Sequence, residues 1–295
     1  MLTAQLGLHP FRGSTAVQEG LLTRGVLRSR RFKRLYPDVY VAAGVQVTHA
    51  VLAAAATVLL PGAVVSGVSA LEVAGVPCAL PGDRVEVTVP PGHRGVAVPG
   101  LRVRRRALPD GQVFADLRGF LRLHPAAAAV EVAAERRPHM EAVVVLDQVA
   151  HHRVAGPAAL ELFAGAFRGR GRQQLLAALA DADFLAESPQ ETRLRLPLHA
   201  SELPKPEAQH RIRTRGGRKR RLDFAWPDIR FAVEYDGEHH ATRLPEDRAR
   251  LNELQELGWR VFYVTRADMR DIPALVAAIT RAYEACLAHR LASQG

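Results

Sequence analysis

Cysteine is nearly absent from this chain, whose 295 residues include only Cys78 and Cys286. Two cysteines so far apart have no metal-ligand spacing, which argues against a cysteine zinc site and against a disulfide scaffold. We therefore predict no disulfide and a reducing, cytoplasmic location. The first residues, Met1 to Gly13, also lack the charged-then-apolar order of a signal peptide.

Hydrophobic runs long enough to cross a bilayer are equally scarce. The one uncharged stretch of that length extends from Ala50 to Leu71. It is rich in alanine and is broken by Pro61-Gly62, with Ser66 and Ser69 beyond. We predict two short buried helices flanking a turn, and no membrane-spanning segment.

Acidic residues are outnumbered, because 40 lysines and arginines face 30 aspartates and glutamates and give a formal net charge of +10. Such a balance favours a polyanionic partner, and DNA is the natural candidate. An arginine-rich proteome would produce the same charge without any such function. The positions of the cations must therefore decide between these interpretations.

The patterns along the chain predict an α/β protein of the α+β type with three domains. Residues 1–44 are expected to form a winged helix-turn-helix, residues 45–186 a mainly helical middle region, and residues 187–295 a mixed sheet flanked by helices. In the middle region, strand patterns on either side of Pro90-Pro91-Gly92 predict a hairpin. Its basic run, Arg102 to Arg106, fits either an anion-binding surface or a solvated strand face.

The N-terminal segment predicts two short helices and a wing. The helices are expected near Thr15 to Glu19 and from Thr23 to about Phe32, and a Pro37-Asp38 turn predicts the hairpin. This pattern resembles the winged helix-turn-helix of bacterial abortive-infection-type (type IV) antitoxin proteins, which implies DNA binding. A solvated basic helix is the alternative. The cations that we select as nucleic-acid-binding are Arg28, Arg30 and Arg31.

Carboxylates interrupt two apolar strands in the last third of the chain. A turn at Pro227-Asp228 makes the strands of Asp223 and Glu234 adjacent and antiparallel, and period-two alternation puts Glu234 and Asp236 on one face. Three carboxylates therefore converge, and their burial without a partner would be costly. We predict that Asp223, Glu234 and Asp236 bind Mg²⁺ or Mn²⁺.

Five spaced elements of this region agree in order with a known family. They are Ser188-Pro189-Gln190-Glu191, Asp223-Phe224-Ala225-Trp226, Glu234-Tyr235-Asp236-Gly237-Glu238-His239-His240, Asp247-Arg248-Ala249-Arg250 and Leu257-Gly258-Trp259-Arg260-Val261. The region resembles a bacterial endonuclease-like family related to very-short-patch repair endonucleases, within the PD-(D/E)XK superfamily. The resemblance implies a restriction-endonuclease-like fold and metal-dependent cleavage of DNA.

The resemblance also implies roles for individual residues. The superfamily's helix glutamate, strand aspartate and Glu-x-Lys pair correspond to Glu191, Asp223, Glu234 and Asp236, so an aspartate stands where lysine is usual. Related repair endonucleases use histidine near the metal, which makes His240 the candidate for the general base or water-orienting group. Taken alone, Glu191 would complement a helix dipole and His240 would be a surface residue. The alternative function is a non-catalytic, antitoxin-type DNA-binding regulator with a degenerate nuclease fold.

Cations crowd the hairpin that delivers Asp223 and the helix that follows the site. Arg211 and Arg221 belong to this run, which turns at Gly216-Gly217. Contact with DNA phosphates is one interpretation, and solubility of a hairpin tip is the other. In the helix, inward-facing leucines are expected to make the arginines project outward. The cations that we select as nucleic-acid-binding here are Arg213, Arg215, Arg218, Lys219, Arg220, Arg248 and Arg250.

Overall fold

A computed structural model describes residues 8–93, 97–236 and 244–293, and for residues 244–248 it describes the backbone alone. The chain divides into two compact units, of which the first comprises Met1–Arg137 and His152–Leu179 and the second comprises Pro138–His151 and Ala180–Gly295. Mixed sheets and flanking helices occur in both, which confirms the predicted α+β class. The division into three domains stays a prediction.

The helices and strands are numbered in chain order. They are β1 (Phe11–Arg12), α1 (Gly13–Gln18), α2 (Arg24–Leu27), β2 (Phe32–Tyr36), β3 (Val39–Ala42), α3 (His49–Leu59), β4 (Val64–Val65), α4 (Gly67–Val73), β5 (Val85–Val89), β6 (Leu101–Arg105), β7 (Val113–Ala115), β8 (Leu121–Leu123), α5 (Pro125–Glu135), α6 (His139–His151), α7 (Pro157–Ala166), α8 (Arg172–Asp181), α9 (Pro189–Ala200), β9 (Glu207–Arg213), β10 (Lys219–Trp226), β11 (Phe231–Asp236), α10 (Leu244–Glu256), β12 (Arg260–Thr265) and α11 (Ile272–Ala292).

The first unit opens with a small sheet of order β1-β3-β2, in which β2 and β3 form the predicted wing. Asp38 adopts a left-handed backbone (φ 58°) that closes the tight turn between them. Thr23 caps α2, because its Oγ1 accepts a hydrogen bond from the Val26 amide at 3.2 Å. The predicted extension of α2 to Phe32 is wrong. The Ser29 hydroxyl donates to the Val26 carbonyl at 2.7 Å and competes with helical hydrogen bonding there.

The predicted middle hairpin is also wrong. A five-stranded sheet has the order β6-β5-β4-β8-β7, and β5 pairs with β6 in parallel, with Val85 opposite Leu101. Both predicted strands are therefore present, but they run in the same direction. The uncharged stretch forms α3 and α4 on either side of a turn, as predicted, and no helix in the described part of the chain is long and apolar enough to span a membrane.

The second unit contains a four-stranded mixed sheet of order β12-β11-β10-β9, as predicted for this region. β9, β10 and β11 are antiparallel neighbours, and β12 joins β11 in parallel. Phe224 packs with Leu194 of α9 and Ile279 of α11 on one face. On the other face, Leu222 packs with Leu254 of α10. Helices therefore bury both faces of the sheet.

A buried ion pair joins α6 to α9. Arg195 is 2% exposed and donates from Nη2 to Oδ2 of Asp147 at 2.8 Å, and the Asp147 side chain is fully buried. Thr192 donates to the same oxygen at 2.8 Å, and the Phe184 amide donates to the other carboxylate oxygen at 3.0 Å. These bonds satisfy the buried carboxylate and fix the helix that carries Glu191.

Candidate active site

The four acids predicted from the sequence lie around one pocket of about 290 Å³ in the second unit. Phe224 of β10 pairs with Val233 of β11. The next residues along these antiparallel strands are Asp223 and Glu234, which therefore lie opposite each other. Asp236 follows Glu234 on the same strand face. The residues that line the pocket are Glu191, Asp223, Glu234, Tyr235, Asp236, Arg250, Leu251 and Tyr263.

Asp223 lies where the side-chain alternation of β10 shifts. Leu222 and Ala225 both pack on the α10 side although they are three residues apart, whereas Phe224 packs on the opposite side. Across the hairpin, Gln209 has a left-handed backbone (φ 53°) between the paired residues Ala208 and His210. Oδ2 of Asp223 accepts a hydrogen bond from the Tyr235 amide at 2.9 Å. The backbone of β11 thus holds this carboxylate at the irregular position.

Glu191 enters the pocket from the first turn of α9. The Ser188 hydroxyl accepts a hydrogen bond from the Glu191 amide at 3.2 Å and starts the helix. The Glu191 side chain is buried, and its Oε2 accepts from the Glu187 amide at 2.9 Å and from Nε2 of Gln209 at 2.7 Å. Burial and, next, the charge of Asp223 raise the pKa of Glu191 to about 7.

Glu234 is buried on β11 and makes an ion pair with Arg250 of α10. Burial raises the pKa of Glu234 to about 7 although Arg250 opposes the shift, and burial also raises the pKa of Asp223. The same guanidinium donates to the Arg221 carbonyl at 3.0 Å. Arg250 was expected to project outward, and that orientation is wrong, because its cationic end lies over the pocket acids.

Sequence reasoning did not find Gln209 or Tyr263 at this site, and it assigned Arg250 to nucleic-acid binding with an outward orientation. Pairing about the Gly216-Gly217 turn would have placed Gln209 opposite Asp223, and that signal was available. Tyr263 lies opposite Glu234 through the parallel pairing of β11 with β12, which no local pattern indicates. The pairing of Arg250 with Glu234 depends on how α10 is rotated against the sheet. Helical periodicity alone placed Arg250 on the wrong face of the helix.

The donor set of the pocket consists of oxygen atoms, the type that Mg²⁺ and Mn²⁺ prefer. The described lining residues include four carboxylates and one arginine, and burial is the main cause of the raised pKa values of Glu191 and Glu234. Within the described residues, no three His, Cys, Asp or Glu side chains are arranged to hold a metal ion.

The remaining predicted residues occupy several positions. His240 and the side chain of Arg248 lie outside the described residues. Arg220 is half-buried and pairs with Glu253 at 2.8 Å, and Arg218 pairs with the same carboxylate at 3.2 Å. The predicted cations that are exposed on the turn after α2 or on the β9–β10 hairpin are Arg28, Arg30, Arg31, Arg213, Arg215, Arg218 and Lys219.

The fold and the pocket define a two-unit α+β protein with an acidic, oxygen-lined site. No family model matches the chain. It is 39% identical over 195 residues to the uncharacterized proteins MT2308 and Rv2248 of Mycobacterium tuberculosis, across 64% of this chain and 69% of each relative. The chain belongs to the same family as these two proteins. The crystal structure of the RV2827C protein from Mycobacterium tuberculosis matches 72% of this chain and 85% of its own, at 15% identity and a TM-score of 0.42.

Proposed function

We propose that the second unit is a Mg²⁺- or Mn²⁺-dependent DNA endonuclease that acts in the cytoplasm. The observation that carries this proposal is the pocket that four carboxylates line, those of Glu191, Asp223, Glu234 and Asp236. A bound divalent cation would lower the pKa of a water molecule and neutralise charge on a phosphodiester in the transition state. The resemblance to PD-(D/E)XK nucleases and the net charge of +10 also support it.

The pocket residues divide the work. Asp223, Glu234 and Asp236 would hold the cation, and the Tyr235 amide orients Asp223. Glu191 supports the site through its hydrogen bond with Gln209, and its pKa of about 7 lets its carboxyl group hold or release a proton near neutral pH. The water-orienting role stays a prediction for His240.

Cleavage of supercoiled and mismatched DNA with Mg²⁺ or Mn²⁺ tests the proposal. Asp223→Asn keeps the size of the side chain and removes its charge, so we expect cleavage to fall at least about 100-fold. Asp228→Asn is the matched control, because Asp228 is an exposed aspartate in the connection between β10 and β11. Equal cleavage by the wild type and Asp223→Asn would exclude the assignment.

A non-catalytic, antitoxin-type DNA-binding regulator is the second candidate. Arg28, Arg30 and Arg31 are exposed beside the wing, and none of them has an acidic partner among the described residues. Asp236 in the usual lysine position also favours this candidate. A regulator of this type would bind its own promoter in a salt-dependent way. This binding should be lost when the three arginines are replaced by alanine, and it should be unchanged in Asp223→Asn. Cleavage that depends on Asp223 would contradict it.

A further inference from the structure

Four cations form two directly opposed pairs on one face of the β9–β10 hairpin. Arg211 lies opposite Arg221, and Arg213 lies opposite Lys219. All four are exposed. The alternate residues of the same strands turn to the other face, where Leu222 and Ile212 pack beside α10. We call Arg211, Arg213, Lys219 and Arg221 the cation ladder.

The cation ladder carries charge that the rest of the unit leaves largely unbalanced. Like charges directly opposite each other on a sheet are destabilising. Among the described residues, Glu187 pairs with Arg221, and no carboxylate pairs with the other three members. The opposite face differs, because Arg218 and Arg220 share Glu253. The face with the cation ladder therefore favours binding of an anion from outside the protein. On the opposite face, Glu253 already supplies the anion.

The cation ladder ends at the pocket. Leu222 pairs with His210 next to the pair of Arg211 and Arg221, and Gln209 and Asp223 are the following residues on the two strands. Gln209 donates to Glu191. Two residues of strand span about 7 Å, so the last rung lies about that far along the strands from the pocket acids. A ligand with anions repeated along a line would contact the ladder and reach the pocket together.

We propose that the cation ladder binds the phosphate backbone of a nucleic acid strand and leads that strand into the pocket. Regularly spaced phosphates match a row of cations, whereas a single small anion would use one rung. The choice of nucleic acid rests on the proposed function, because the pocket at the end of the ladder is where a phosphodiester would react. Arg218 and Arg220, selected from the sequence, do not belong to this surface because they neutralise Glu253.

Binding of fluorescein-labelled DNA to the full chain in EDTA tests the proposal without cleavage. The test variant is Arg213→Ala/Lys219→Ala, and Arg218→Ala/Arg220→Ala is the matched control, with the same loss of charge in the same hairpin. We expect the test variant to reduce the slope of log K against log salt concentration by about two, since two phosphate contacts are lost. The control keeps the wild-type slope. Arg213→Lys/Lys219→Arg, which keeps both charges, restores binding.

Three results would overturn the cation ladder. The first is an unchanged salt-dependence slope in the test variant, and the second is an equal loss of DNA affinity in both double variants. The third is a protein that does not bind DNA but binds phosphatidylserine vesicles through the ladder. Thermal melting of each variant checks that the hairpin is folded. These results are distinct from a failure of the nuclease proposal. In that case the wild type would leave DNA uncut in Mn²⁺, and ladder-dependent binding in EDTA would persist.

Discussion

Two clusters of charge in this protein are balanced in opposite ways. In the first unit, Arg104 donates to Glu86 at 2.9 Å and to Glu135 at 2.5 Å, and Arg102 lies 3.1 Å from Glu135. In this cluster, Glu86 and Glu135 therefore form ion pairs with arginines of the same unit. In the pocket of the second unit, the lining residues include four carboxylates and one arginine, and that arginine pairs with Glu234.

The two clusters also differ in the direction in which the pKa values of their glutamates are shifted. Arg104 holds the pKa of Glu135 below its usual range, whereas burial holds the pKa of Glu191 well above it. The first cluster is therefore stable as it stands, and the pocket gains stability from a proton or an added cation. In the basic run of the middle region, Arg102 and Arg104 therefore have glutamate partners within the same unit.

The largest expected effect comes from breaking a balanced pair inside the second unit. Arg195→Met leaves the fully buried Asp147 without its cation, so we expect the free energy of unfolding to fall by about 3–5 kcal/mol in urea titrations. Arg193→Met is the control, since Arg193 pairs with the partly exposed Glu141 and its loss should cost about 1 kcal/mol or less. Equal losses would show that burial of the pair is unimportant.

Adding the proposed cation is expected to have the next largest effect. At a concentration 100-fold above its dissociation constant, Mn²⁺ should raise the free energy of unfolding by about 2.7 kcal/mol. Asp223→Asn should reduce this stabilisation, while the exposed Asp228→Asn should leave it intact. Unfolding measured with Mn²⁺ and with EDTA provides the readout. The same stabilisation in both variants would place the cation somewhere else.

Local register explains why much of the pocket was predictable. The turns at Gly216-Gly217 and Pro227-Asp228 set the pairing of β9, β10 and β11, so the approach of Asp223 to Glu234 follows from short-range pattern. The role of Arg250 does not, because it depends on the packing angle of a helix against the sheet. A third contact, between Glu191 and Gln209, requires both the hairpin register and the position of α9.

In the first unit, too, contacts between elements adjacent in sequence were predictable and long-range contacts were not. Its wing was predictable because Pro37-Asp38 joins strands that are adjacent in sequence. The parallel pairing of β5 with β6 was not, since strand patterns do not encode direction and the Pro90-Pro91-Gly92 turn signal favoured a hairpin. The partners of Arg102 and Arg104 lie on β5 and α5, and such long-range ion pairs leave no local signature.

Removing one charge from the pocket should stabilise the protein in EDTA. The folded-state pKa of Glu191 is raised from 4.5 to about 7, so ionisation destabilises the fold as the pH rises through that interval. Glu191→Gln should therefore raise the free energy of unfolding by about 1–2 kcal/mol at pH 8, with a smaller gain at pH 5. Urea titrations at both pH values measure the gain. A loss of stability at pH 8 would mean that the carboxylate is already balanced.

The matching change in the balanced cluster should have the opposite sign and the smallest size. Arg104 lowers the pKa of Glu135 in the folded state, so ionised Glu135 stabilises the fold above its unfolded-state pKa, and this contribution is lost as the pH falls through the folded-state value. Because the Glu135 side chain is 40% exposed, Glu135→Gln should cost less than about 1 kcal/mol at pH 8. The cost should shrink in high salt and disappear in acid, as urea titrations would show. If Glu135→Gln and Glu191→Gln both stabilised the protein at pH 8, the contrast between the two clusters would fail, and the pocket would no longer stand out as the place for a cation.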